Sequence, residues 1–112
     1  MFGKRFQREL DMIRDALEDE KGREEFIKYM GPFVDDTVKK FMSDNNLPNV
    51  MYEELLPAGW TYLDKALKNY NERAEAMMER KNDVYYFSTY FAWYIKQGVL
   101  EYVKAKYPTQ IG

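Results

Sequence analysis

Residues 85 to 97 read Tyr85-Tyr86-Phe87-Ser88-Thr89-Tyr90-Phe91-Ala92-Trp93-Tyr94-Ile95-Lys96-Gln97, so seven of thirteen positions are aromatic. On a helix, Phe91, Ile95 and Val99 share one face at a spacing of four residues, which suits burial in a core. Ser88 is the candidate N-cap, with an earlier start of the helix left open, and the helix is expected to run to about Lys106, because Pro108 disfavours helical geometry in the residue before it. The stretch therefore predicts a final helix with an apolar inner face.

A second face of this helix is also aromatic. Four of its residues follow one another at helical spacing: Tyr90, Trp93, Tyr94 and Gln97. A small protein cannot bury both faces, so the second face is expected to remain open. Flat rings offer stacking platforms to unpaired bases, and a glutamine amide can pair with a base edge. Taken alone, aromatic residues at helical spacing are more often a core-facing stripe than a binding surface.

Two more helices are predicted in the first half of the chain. From Lys4 to about Glu20, apolar residues recur at Phe6, Leu10, Ile13 and Leu17. This spacing indicates a one-sided amphipathic helix within residues 4–21, ended by Lys21-Gly22. A second pattern runs from about Arg23 to Met42, and Gly31-Pro32 is expected to kink or split it. Its predicted buried side consists of Phe26, Met30, Phe33, Val34, Val38, Phe41 and Met42.

The middle of the chain predicts a loop followed by a third long helix. Residues 43–49 have the composition of a loop. The third helix is expected to begin between Glu53 and Leu56, with Pro57 in its first turn, and to continue through Tyr70. The good helix formers of residues 72–81 can extend it, and Asn82-Asp83 should break it. The predicted fold is all-α, a compact bundle of about four helices in one domain, 1–112.

Composition removes several classes of function. The 112 residues include no cysteine and no histidine, so thiol and imidazole catalysis and the common zinc sites are absent, and an enzyme is not expected. We expect no cofactor or metal. With no signal peptide and no apolar run long enough to span a bilayer, the chain is expected to be cytoplasmic and without a membrane partner. The net charge of −2 predicts weak binding to duplex DNA alone, which tethering by a larger partner would offset.

Two motifs, in order, resemble region 2 of the bacterial sigma factors of the sigma-70 family. Residues 87–97 resemble the signature F-S-T-Y-x-x-W-W-I-R-Q, with Tyr94 and Lys96 in place of the second tryptophan and the arginine. Residues 55–71 resemble the preceding helix, of the form D-L-I-Q-E-G-x-x-G-L-x-x-A-x-x-x-F-D. The resemblance covers about residues 28–106 and implies a region 2-like segment over 23–106 with an insertion at about 72–84.

The resemblance implies a transcription initiation factor that binds core RNA polymerase and opens the promoter minus-ten element. Its positions for capturing the non-template single strand are Tyr85, Phe87, Thr89, Tyr90, Trp93, Tyr94, Lys96 and Gln97. Its positions for binding the coiled coil of the largest polymerase subunit are Glu53, Glu54, Ala58, Trp60 and Thr61. Trp60 is also the candidate interface anchor by residue type, because such rings contribute disproportionately to binding.

Two other functions remain open from the residues. A protein-interaction module derived from the same fold could bind polymerase or another protein without touching DNA, as the acidic balance and Glu101 favour. A plain helical bundle could instead use its aromatic residues to form a homo-oligomer. Forked-DNA binding, polymerase capture and concentration-dependent sedimentation distinguish the three.

Overall fold

The computed structural model describes residues 3–80 and 85–110, with the side chain of Arg80 excepted. These residues form α1 (Lys4–Glu18), α2 (Glu20–Asp44), α3 (Tyr52–Gly59), α4 (Leu63–Arg80) and α5 (Phe87–Lys106), and a short 3-10 turn at Asn49–Met51. No strand occurs in this part of the chain. The all-α prediction is confirmed, with five helices among the described residues where about four were expected.

The first two helices meet at one residue. Asp19 ends α1 and caps α2, whose first turn is anchored by a 2.6 Å hydrogen bond from the Gly22 amide to the Asp19 side chain. A Cβ on Gly22 would lie 2.3 Å from the Asp15 carbonyl oxygen, so only glycine fits this approach. The prediction that Lys21-Gly22 ends the first helix is therefore wrong. Leu17, expected in the core, is 42% exposed, and Ala16 is buried instead.

α2 passes through Pro32 as one continuous helix of 25 residues, so the predicted split does not occur. Two features make this possible. Gly31 has no Cβ to crowd the proline ring that follows it, and Pro32 itself is exposed. The inner side of α2 is buried on both sides of the proline at a spacing of four residues: Phe26, Met30, Val34, Val38 and Met42. Phe33 and Phe41, predicted in the core, are only partly buried.

The predicted third helix is in fact two helices. Trp60, Thr61 and Tyr62 form a turn between α3 and α4, closed by backbone hydrogen bonds from Trp60 to Pro57 and from Thr61 to Ala58. The Thr61 hydroxyl also donates to the Ala58 carbonyl at 2.7 Å. Pro57 lies inside α3 rather than in its first turn. The extension through residues 72–80 is confirmed, whereas Asn82-Asp83 lies outside the described residues.

α5 is the centre of the bundle and packs against α2, α3 and α4. Phe91, Ile95 and Val99 are fully buried, as their spacing predicts, and the helix ends at Lys106 as expected. Gly98 allows α5 to touch α3, because a Cβ there would lie 2.4 Å from the Ala58 carbonyl oxygen. Ser88 is not the N-cap. The helix begins at Phe87, and Tyr86 precedes it without a side-chain cap.

Candidate functional site

An open cleft of about 490 Å³ lies where the C-terminal half of α4 runs beside the start of α5. It is lined by Arg73, Tyr85, Thr89, Tyr90, Trp93 and Tyr94. Five of these six residues are positions that the sigma resemblance implies for strand capture. They meet here because residues 89, 90, 93 and 94 share the face of α5 that does not enter the core.

The aromatic rings of the cleft differ in their exposure. Trp93 is 62% exposed, whereas Tyr85, Tyr90 and Tyr94 are partly buried. Tyr85 and Tyr90 stack at 6.1 Å between ring centroids and 26° between ring planes. Trp93 stands edge-on to Tyr94, at 5.1 Å and 85°. The cleft therefore presents a free indole beside phenol rings that are already fixed in place.

A buried tyrosine supports these rings from below. Tyr70 of α4 is 1% exposed, and its ring lies 5.9 Å from that of Tyr85 and 5.8 Å from that of Tyr90. Its hydroxyl donates a hydrogen bond of 2.5 Å to the Tyr85 carbonyl. Burial raises the pKa of Tyr70 far above its usual value, so this donor keeps its proton. The base of the cleft is thus preorganised.

The polar edge of the cleft is a chain of three side chains. The Asn69 amide donates to the Tyr94 hydroxyl at 3.3 Å, and the Tyr94 and Tyr90 hydroxyls lie 3.1 Å apart. Burial, together with the bond to Tyr94, raises the pKa of Tyr90 to about 12. The hydrogen bonds that Tyr94 makes with Tyr90 and Asn69 lower the pKa of Tyr94. These hydroxyls could hydrogen-bond to a ligand that enters between the rings.

Arg73 supplies the positive charge of the cleft. Its guanidinium carbon lies 5.4 Å from the centre of the Tyr90 ring, and the side chain is exposed. The neighbouring phenols raise the pKa of Arg73, with Tyr85 contributing most. A cation placed over a ring in this way is attracted by the negative face of the ring.

Three of the predicted DNA-binding residues do not line the cleft. Phe87 is fully buried, with its ring 5.2 Å from that of Phe26 and 5.4 Å from that of Tyr70, so its prediction as a strand contact is corrected to a core position. Lys96 is exposed outside the lining. The Gln97 amide donates to Glu101 at 2.8 Å, so it is engaged within the helix rather than free.

The residues predicted to bind polymerase do not form one exposed face. Ala58 is buried at 7% exposure, which corrects its prediction as a surface contact. Glu54 turns towards α5 and accepts hydrogen bonds from Tyr102 at 2.8 Å, Tyr107 at 2.7 Å and Lys106. These bonds, with Lys106 the largest cause, lower the pKa of Glu54 to about 2.

The other members of that set are divided between core contact and surface. The partly buried Trp60 ring packs 6.0 Å from that of Phe91. Glu53 is exposed, and Thr61 is exposed in the turn between α3 and α4. Only Glu53, Thr61 and the outer edge of Trp60 are therefore available to a partner without rearrangement.

The cleft residues of α4 were not predicted from the sequence. Asn69 and Arg73 stand one helical turn apart and so share a face, and Tyr70, three residues before Arg73, lies on the adjoining buried side. That spacing is visible in the sequence, but it predicts a cleft only when α4 is known to lie along the aromatic face of α5.

The comparisons with known proteins add no assignment. No family model matches the chain, and neither does any curated protein or solved structure. None of the helices in the described ranges is long and apolar enough to cross a membrane. Residues 3–80 and 85–110 also hold no group of three or more acidic residues arranged to bind a metal ion.

Proposed function

We propose that this protein is a sigma-like transcription initiation factor that captures unpaired bases of the promoter minus-ten element in the α4–α5 cleft. The observation that carries the proposal is the convergence of Tyr85, Thr89, Tyr90, Trp93 and Tyr94 on one open cleft. The motif selects these residues without knowledge of the structure, and the cleft they line is accessible to solvent.

The energetics favour single strands over duplex. Removing a base from a duplex costs a few kcal/mol, whereas stacking on an aromatic side chain returns about 1–3 kcal/mol for each base. Two bases, one on Trp93 and one against the Tyr85–Tyr90 stack, would offset the cost of opening. Since the net charge is −2, binding to intact duplex should be weak.

The binding test compares forked A/T-rich DNA with intact duplex of the same sequence by fluorescence anisotropy. We expect the fork to bind more tightly, and a Tyr90→Ala, Trp93→Ala double variant to lose the preference. Tyr52→Ala is the matched control, because this partly buried tyrosine lines a different cavity. Equal affinity for fork and duplex would overturn the proposal.

The polymerase part of the proposal rests on the resemblance and is tested separately. In vitro transcription with core RNA polymerase on templates with an A/T-rich minus-ten element should depend on the protein and on Trp93. Trp60→Ala should reduce capture of core polymerase, since the outer edge of this ring is available to a partner. Promoter-dependent transcription that is unaffected by the protein would exclude a role in initiation.

A protein-interaction module is the second candidate, and one observation favours it. Gln97, which would read a base pair, is bound to Glu101, and Glu101 also accepts a hydrogen bond from Tyr62. A carboxylate at that end of the aromatic face suits a protein partner better than a phosphate backbone. Capture of core polymerase together with no binding to forked DNA would select this function.

A further inference from the structure

Among the described residues, the lining of the cleft contains one cation, Arg73, and no described acid pairs with it. None of the described carboxylates forms an ion pair with Arg73 within 4.0 Å. The groups that act on its charge are the phenols of Tyr85, Tyr90 and Tyr94. By contrast, Arg5, Arg23 and Lys106 all have carboxylate partners.

The aromatic face of α5 carries a negative charge at its other end, at Glu101. Glu101 is exposed and accepts hydrogen bonds from Tyr62 and Gln97, which lower the pKa of Glu101 and keep it charged. Tyr62 in turn packs 6.2 Å from Tyr94, so this acid adjoins the aromatic rings. Lys65 acts electrostatically on Glu101, so the negative charge of Glu101 is partly offset.

We infer that Arg73 binds a backbone phosphate of the strand whose bases stack in the cleft, and that Glu101 keeps phosphate away from the other end. An arginine fork matches the geometry of phosphate oxygens and can remain stacked on a ring while it binds them. The guanidinium already lies over Tyr90, so a phosphate bound there stays next to a base on that ring. The inference rests on the proposed function.

This assignment fixes the side on which the strand backbone runs. The backbone follows the C-terminal half of α4, and the bases point towards α5. Arg73 lies in the segment that the sigma resemblance treats as an insertion, so the phosphate contact belongs to this chain rather than to the two motifs.

The experiment measures the affinity for a labelled single-stranded A/T oligonucleotide as a function of salt concentration. Each phosphate neutralised on a single strand contributes about −0.7 to the slope of log K against log[salt]. We expect Arg73→Gln to make the slope shallower by about that amount. Arg73→Lys should keep the slope but bind more weakly, since the stacked fork is lost. Glu101→Gln should strengthen binding at low salt.

Three controls separate this contact from a structural role. Lys40→Gln removes one charge from an exposed site on α2 and should leave the slope unchanged. Tyr90→Ala should lower affinity with little change in slope. A set of oligonucleotides, each with one uncharged methylphosphonate linkage at a different position, locates the phosphate. One of these linkages should weaken binding to the wild type, and the same linkage should not weaken binding to Arg73→Gln.

The outcomes distinguish the two proposals. If the wild type binds the strand and Tyr90→Ala weakens it, but Arg73→Gln keeps the wild-type slope, the phosphate assignment alone is wrong. If the wild type does not bind the strand at all, the proposed function fails and the phosphate assignment fails with it.

Discussion

The hydroxyl of Tyr70 donates a hydrogen bond of 2.5 Å to the backbone carbonyl of Tyr85, and so ties the buried side of α4 to the residue that opens the aromatic cleft. The donor side chain is almost fully buried. The acceptor lies just before α5, which begins at Phe87. This hydrogen bond therefore helps to hold Tyr85 against Tyr90.

Tyr70→Phe removes this hydrogen bond and keeps the ring. We expect a loss of about 1 kcal/mol in the free energy of unfolding, the usual contribution of one hydrogen bond, and weaker binding to forked DNA because Tyr85 is less well fixed. Urea denaturation and anisotropy measure the two effects. Tyr29→Phe, which removes another phenol donor, should not affect DNA binding. Unchanged stability and binding in Tyr70→Phe would show that the bond does not position Tyr85.

Trp93 and Phe87 should respond to alanine substitution in opposite ways. Phe87→Ala empties a core position and should cost about 3–5 kcal/mol of stability. Trp93→Ala should change stability little, because the ring is exposed, but should weaken binding to single-stranded DNA by about 1–3 kcal/mol. Thermal melting and anisotropy of both variants provide the comparison. If Trp93→Ala is less stable than the wild type but binds single-stranded DNA equally well, the ring of Trp93 contributes to stability and not to binding.

Gly98→Ala should destabilise the protein although alanine is the better helix former. Its Cβ would meet the backbone carbonyl of Ala58, which cannot move without displacing α3. Overpacking of this kind costs about 1–3 kcal/mol. Lys104→Ala, an exposed position on the same helix, should change stability by less than about 0.5 kcal/mol. Equal urea midpoints for the two variants would mean that α3 and α5 are not in close contact at Gly98.

Glu54 should stabilise the fold in a pH-dependent way. The pKa of Glu54 falls from 4.5 to about 2 on folding, so the charged form is favoured in the native state. Its contribution is complete above pH 4.5 and is lost as the pH falls towards 2. Glu54→Gln should lower the urea midpoint at pH 7. The difference in urea midpoint between this variant and the wild type should shrink as the pH falls from 4.5 towards 2. Glu53→Gln, which replaces the exposed neighbour, is the matched control and should leave the urea midpoint at pH 7 unchanged.

Periodicity predicted the parts of the fold in which one helix buries one face. The inner stripe of α5 and the apolar side of α1 as far as Ile13 are visible as spacing alone, and the extension of α4 follows from its good helix formers. Of the three rings predicted to be exposed on the second face of α5, Trp93 is exposed, whereas Tyr90 and Tyr94 are partly buried. The reason is physical, since a face with more rings than the core can hold must leave some of them in water.

The remaining features depend on packing between elements that are distant in sequence. The turn at Trp60 to Tyr62 has no proline or asparagine to mark it, and it follows Gly59, where a Cβ would lie 3.0 Å from the Val38 side chain and 3.2 Å from that of Ile95. The burial of Phe87 follows from rings on α2 and α4, which no local pattern reveals. Arg73 becomes a cleft residue only because α4 lies along α5.

The single residue between α1 and α2 constrains how the N-terminal segment can vary. Adding one amino acid beside Asp19 would lengthen this one-residue connection, shift α1 relative to α2 and move Phe6 and Leu10 off the surface they cover. Length changes at this junction should therefore be eliminated by selection, and natural variation in the number of amino acids should accumulate at other connections.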